Sequence, residues 1–312
     1  MKRIHVVIGA LLLIGAVGFF VYATQNQNDD LSPLPFEIKE KLSKPDKNIQ
    51  ETYFKARDGK DLFYRFLAPK NTEHLVVLLH GSSYHGAYLT PLAEKLHAHA
   101  DVCIPDFRGH GKSSPPAGTC SYIGQLEDDL ADLIKQLPKT YTKITLIGHS
   151  SGGGFAIRFA SSKYKDMAHN LILLSPAIVT APTMNTPGAR AWAHPKMVKV
   201  GELLALNAIG ITRFNTTTVL TFNKPPEHCD GTETLAYDWN LAVSMHPRVP
   251  YKKDLAAASK KAMILVGEKD EINNPYAFEQ LFPKDRIVIL KNVRHLDIVT
   301  HQDAVTQILK YL

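Results

Sequence analysis

The segment "ITLIGHSSGGGFAI", residues 144–157, constrains this chain more than any other. A β-branched apolar run breaks at a glycine, passes His149, Ser150 and Ser151, meets three more glycines, and turns apolar again at helical spacing. Gly148-His149-Ser150-Ser151-Gly152 fits G-x-S-x-G, a strand-to-helix turn so tight that its flanking positions tolerate almost no side chain. Such a turn lifts the middle hydroxyl above the carboxyl end of a sheet and aims the following N–H groups at the same point. The competing reading, a glycine-rich phosphate cradle, lacks the lysine and the G-x-G-x-x-G spacing it needs. Ser150 is therefore the candidate nucleophile.

The surrounding pattern agrees with a strand-to-helix turn. "HLVVLLHG", "DVCIPDF", "ITLIGHS", "NLILLSPA", "AMILVGEKD" and "RIVILKNV" are short apolar runs of the kind buried on both faces of a parallel sheet. Between them "TPLAEKLHAHA", "QLEDDLADLIKQL" and "GGFAIRFASS" read as helices, and "DAVTQILKYL" closes the chain as another. "ETYFKARDGKDLFYRFLAP" reads as a hairpin turning at Asp58-Gly59. The expected fold class is α/β: a mostly parallel, doubly wound sheet with right-handed crossovers, its site beyond the carboxyl ends of the strands. Residues 178–258 break the alternation. They hold Trp192, Trp239 and the apolar stretch 200–211, and read as a cap inserted over the site.

With 312 residues the chain has length for one large core. Residues 1–23 stand apart as a membrane anchor or signal segment. Lys2 and Arg3 precede 18 residues, 6–23, without a charge, at the threshold for spanning a bilayer. Residues 21–23 loosely match a cleavage site, so removal as a signal peptide is the alternative. The flanking charges put the N-terminus in the cytoplasm and the rest of the chain outside it. No cysteine follows the apolar segment to carry a lipid. Residues 24–50, polar with three prolines, read as a linker, and residues 51–312 as the globular domain. The net charge of +6 is spread without a run of basic residues, which excludes a nucleic-acid face.

A serine hydroxyl needs a base, and the base an orienting carboxylate. Glu268, Asp270 and Glu271 follow a late strand. Asp270 is the chosen acid because a turn begins there, with Glu268 next in line. His295, in the loop before the final helix, is the candidate base; His301 is expected inside that helix. The oxyanion hole falls to the backbone N–H of Ser151 and of Ser82, in the loop "HGSS". His80 reads as a buttress of that loop. His97, His99 and Asp101 imitate a metal set but bring no H-E-x-x-H or paired-cysteine motif. Asn215-Thr216-Thr217 matches a glycosylation triplet, which occurs often by chance. In an oxidising compartment Cys120 and Cys229 are expected to form a disulfide pinning the cap, with Cys103 a core residue.

The segments "LLHGSS", "PDFRGHGKSS", "LIGHSSGG", "LVGEKD" and "NVRHLD" resemble the α/β-hydrolase superfamily. They are most similar to its branch of monoacylglycerol lipases, lysophospholipases and serine aminopeptidases. The resemblance runs from about residue 52 to the C-terminus and implies the α/β-hydrolase fold, a structural role for His110, and no metal or cofactor. The first loop, "HGSSYHGAY", lacks the acidic residue often found there in monoacylglycerol lipases, so glycerolipid specificity does not carry over. The expected function is cleavage of carboxylic esters, of acyl lipids above all, near a membrane. Acyl transfer, thioester cleavage and peptide hydrolysis by the same residues are the alternatives, and a silent binding protein on this fold the most distant one. Residues 200–211 are expected to form a trough for an acyl chain rather than the cap's own small core, so that kcat/KM climbs with chain length.

Overall fold

At Asp58 and Gly59 the chain reverses with Gly59 at φ 79°, joining β1 (Ile49–Lys55) to β2 (Asp61–Leu67) as the expected antiparallel hairpin. The computed structural model describes residues 49–67, 72–113, 116–226, 229 and 231–312. The expected anchor or signal, 1–23, and all but the last two residues of the expected linker lie outside the described residues; those two, 49 and 50, already belong to β1. No helix of the described residues is long and apolar enough to cross a membrane.

The hairpin edges a sheet of eight strands in the order β1-β2-β4-β3-β5-β6-β10-β11. β3 (His74–Leu79), β4 (Asp101–Pro105), β5 (Lys143–His149), β6 (Asn170–Leu174), β10 (Ala262–Gly267) and β11 (Ile287–Leu290) run parallel, as the continuous apolar runs require. The helices α1 (Thr90–Leu96), α2 (Gln125–Gln136), α3 (Ser151–Phe159) and, at the end, α8 (Gln302–Tyr311) pack their apolar faces on it. The order reverses around β3, with β4 on one side and β5 on the other. The carboxyl ends of β3 and β5 thus flank a crevice, the place where open α/β sheets hold ligands.

Between β6 and β10 the chain leaves the sheet, where the sequence loses its alternation. It forms α4 (Pro187–Trp192), β7 (Ala193–Pro195), α5 (Met197–Ala208), β8 (Thr218–Phe222), β9 (Ala236–Asp238), α6 (Trp239–Ser244) and α7 (Lys252–Ala258). β7, β8 and β9 make a small antiparallel sheet of their own.

Two sequence expectations need correction, and the chance reading of the Asn215 triplet stands. Cys120 and Cys229 are not bridged: the Cys120 thiol is buried and donates to the Tyr122 carbonyl (3.5 Å), and that of Cys229 to the Pro225 carbonyl (3.5 Å). His301 does not lie inside the last helix but caps it, its Nδ1 accepting the Asp303 N–H at 3.2 Å. Asn215 offers no exposed acceptor. Its carboxamide is buried between Asn207 and Asn240 in a chain of side-chain hydrogen bonds that ends on the Cys120 carbonyl.

Candidate active site

The elbow is built by close approach. A Cβ on Gly148 would stand 2.3 Å from the Gly152 carbonyl oxygen, and one on Gly152 would stand 2.2 Å from that of Leu79, so both positions admit only glycine. Ser150, between β5 and α3, takes φ 53° and ψ −123°. A residue with a Cβ enters that region only under strain of order 1–3 kcal/mol, which is typical of functional sites. Ser151 opens α3 and is fully buried; its hydroxyl lies 2.6 Å from that of Ser82. The loop after β3 therefore reaches the elbow. A Cβ on Gly81 would come within 3.2 Å of the Ser150 Cβ. No other group of the described residues takes the main-chain N–H of Ser82 or Ser151.

The three carboxylates after β10 take three different positions. Asp270 faces His295, whose Nδ1 is 2.9 and 3.0 Å from the two carboxylate oxygens. Its Oδ1 also accepts the N–H groups of Ile272 (2.9 Å) and Asn273 (2.8 Å). Burial would raise the Asp270 pKa. The charge and hydrogen bond of His295, the Asn273 N–H and the neighbouring Ser175 hydroxyl outweigh it and hold the carboxyl below its usual range. Glu271 accepts the His295 main-chain N–H (3.0 Å) and Arg294 Nε (2.6 Å), fixing the loop that carries the histidine. Glu268 accepts the Asn292 N–H at 3.1 Å, earlier in the loop that carries His295. Ser150 and His295 line one cavity of about 20 Å³ together with Gly81, Tyr84, Tyr88 and Trp192.

Two contributors escape the sequence reading: His149 stands there only as the variable residue of the elbow, and Tyr88 carries no motif. The Gly81 N–H donates to the Tyr88 phenol (2.8 Å), and the phenol donates to His149 Nδ1 (2.8 Å). His149 Nε2–H then donates to the His295 carbonyl (3.0 Å). That direction follows because a carbonyl only accepts. This buried chain ties the loops after β3, β5 and β11 to one another. Burial, then the charge of His295, lowers His149 to about 3, so it stays neutral.

His80 buttresses its loop as expected: Nε2 accepts the Phe107 N–H (3.0 Å) and Nδ1 lies 2.8 Å from the Gly81 carbonyl. His110 is buried and accepts from the Tyr237 phenol at 2.5 Å; that phenol in turn accepts the Ser83 N–H (2.9 Å).

Residues 200–211, expected to form an acyl trough, do not reach the cavity beside Ser150: none of the residues lining it comes from that stretch. α5 instead buries Leu203 against Val219 and Trp239 in a small cluster of its own. Helical apolar spacing shows that a face is covered but does not say by what.

The match to the family described as serine aminopeptidase, S33, covers residues 70–296. Among curated proteins the chain is 35% identical over 131 residues to a proline iminopeptidase of Saccharolobus solfataricus, covering 41% of each protein. The chain thus spans about two fifths of that relative's length. Among solved structures it is similar to a monoacylglycerol lipase of Paleococcus ferrophilus, with a TM-score of 0.59, 20% identity, and coverage of 80% of this chain and 99% of that one. It is also similar to a thermophilic esterase of Thermogutta terrifontis, with a TM-score of 0.56, 24% identity, and coverage of 84% and 97%. Both likenesses are of fold.

Proposed function

Because the chain belongs to the serine aminopeptidase S33 family of α/β hydrolases, we propose that it is a serine hydrolase cleaving carboxylic esters through Ser150, His295 and Asp270. The observation that carries this reading is the buried Asp270–His295 pair at 2.9 Å, with His295 and the positive-φ Ser150 lining one cavity. In the proposed reaction His295 Nε2 takes the Ser150 proton as Oγ attacks the acyl carbonyl, and returns it to the leaving alcohol as the acyl-enzyme forms. Asp270 holds the Nδ1–H and balances the imidazolium. The N–H groups of Ser82 and Ser151 bind the oxyanion. Water, activated by the same histidine, then releases the acid.

Ester cleavage is favoured over peptide cleavage by the cavity's lining, which among the described residues has no carboxylate to meet a peptide amine. Three acids of the insertion are engaged with other groups. Glu233 pairs with Lys224 at 2.5 Å, Asp254 with Arg248, and Asp238 caps α6. The proposal includes export and membrane tethering by residues 6–23, supported by the uncharged run behind Lys2 and Arg3.

A fluorophosphonate probe should label the wild type and not Ser150→Ala. Asp270→Asn should lower ester turnover by about 10⁴ by leaving the imidazole in the wrong tautomer, whereas Glu268→Gln should stay within about twofold. Normal turnover in Asp270→Asn together with its loss in Glu268→Gln would reverse the choice of acid. An unlabelled wild type would remove the hydrolase reading.

A further inference from the structure

We infer that the site is built for esters of short, uncharged acyl groups, acetyl above all, and that Trp192 and Tyr84 set this limit. The inference rests on Ser150 being the nucleophile. The cavity beside Ser150 has a volume of about 20 Å³, which holds little more than one water or one methyl group. Its apolar walls are the rings of Tyr84, Tyr88 and Trp192 with Ile272 and Leu296.

The aromatic roof is held from several sides. Tyr84 and Trp192 are stacked, with an interplanar angle of 13° and centroids 6.3 Å apart. Behind Tyr84, the Lys224 ammonium sits 4.4 Å from the ring centroid and is itself locked in a buried ion pair with Glu233. Behind Trp192, Phe222 packs at 5.8 Å and in turn rests on Tyr237 at 4.8 Å. The segment leading into α4, the helix that ends in Trp192, is bonded to the loop that carries Asp270. Thr186 Oγ1 donates to the Ile272 carbonyl (2.8 Å), and the Asn274 N–H donates to the Thr183 carbonyl (2.7 Å). Lifting the roof to admit a long chain would therefore pull on the loop that holds the acid. The apolar stretch 200–211, the other source of an acyl surface, faces its own cluster.

The test varies the acid side of p-nitrophenyl esters on a common leaving group. In the wild type kcat/KM should fall by about a hundredfold from acetyl to octanoyl, since methylenes that a filled pocket cannot take cost about tenfold or more each until the chain finds solvent. Trp192→Ala should raise the octanoyl-to-acetyl ratio by at least about tenfold. Val200→Ala and Leu204→Ala, on α5, should leave that ratio within about twofold. A wild-type profile that rises towards octanoyl overturns the inference, whether or not Trp192→Ala folds. So does a shift of the ratio in the α5 variants with none in folded Trp192→Ala. Labelling of Ser150 by the fluorophosphonate separates the two readings: a rising profile with labelling intact sinks the short-acyl site alone, and absent labelling sinks the hydrolase.

Discussion

The insertion between β6 and β10 has two parts, each with one tryptophan, and they lean on different things. α4 carries Trp192, and the segment leading into it is tied by main-chain and side-chain hydrogen bonds to residues 272–274, next to Asp270. α5 and α6 carry Leu203 and Trp239 and meet through a cluster that also takes in Val219 of β8. The second part is the more apolar in sequence, and its outer edge leaves Val198 and Ile209 exposed. Yet the first part lines the cavity. Apolar content measures how much surface must be covered, whereas proximity to the chemistry is decided by a few polar bonds and close contacts between distant segments.

Gly188→Ala should break the first part's attachment, with the largest effect. A Cβ there would stand 1.9 Å from the Glu271 carbonyl oxygen and 2.7 Å from its carbon, so one main-chain segment has to move. Glu271 also holds the His295 N–H with its carboxylate, and the displacement reaches the histidine. Misplacement of a catalytic group on the scale of 1 Å costs about 10² in rate. The expected outcome is a drop in kcat/KM of that order on acetyl esters, with circular dichroism unchanged. Near-normal kinetics would mean that α4 is not coupled to the acid loop.

Leu203→Ala sharpens the contrast from the other side. The side chain is 3% exposed in the small cluster. Its truncation should cost about 2 kcal/mol, the low end for a buried leucine because the cluster is small and part of its rim is wet. Thermal unfolding should report the loss, while kcat/KM for short esters stays within about twofold. A large kinetic effect with little change in melting would return residues 200–211 to the substrate path.

The strands were legible because a strand buried on both faces leaves a continuous apolar run, as in "HLVVLL" and "AMILVG". The elbow was legible because close approach leaves only glycine at 148 and 152. The order of Ser150, Asp270 and His295 along the chain follows from the strands that carry them. What local pattern could not give was the partner of each group. Glu268, Asp270 and Glu271 lie within four residues, and only the turn beginning at Asp270 sets it ahead of the others on paper. Their partners separate only when the loop after β11 folds back, so that one meets Asn292, one the imidazole and one the main chain of His295. Tyr88 and His149 are 61 positions apart, and nothing near either announces the bond between them. A histidine placed immediately before the elbow serine was the one available signal. The destination of α5 was illegible for the same reason, since its spacing is that of any helix covering an apolar neighbour.

The smallest effect on turnover is expected at Asp238, which caps α6 and does not line the cavity. Its side chain is 2% exposed. Oδ1 accepts the Leu241 N–H at 2.8 Å and caps α6, while Oδ2 is buried without a hydrogen bond. Burial raises its pKa to about 6, against the pull of the Leu241 and Cys120 N–H groups. The folded state thus holds this proton more tightly than the unfolded chain, whose aspartate titrates near 3.8. The stabilisation is complete below about pH 3.8 and is lost as the pH rises through about 6. An asparagine at this position would keep the capping oxygen and carry no charge, and asparagine caps about as well as aspartate. Asp238→Asn should therefore melt higher than the wild type at pH 7–8, by several degrees, and the difference should shrink towards pH 4. Taking the difference between the two proteins at each pH removes the opposing contribution of Asp270, which is common to both. kcat/KM should not change, because α6 does not line the cavity. A melting difference that is the same at pH 4 and pH 8 would show that the buried charge at 238 has no stability cost, and a loss of turnover would mean that the small sheet of β7, β8 and β9 transmits the change from α6 to Trp192.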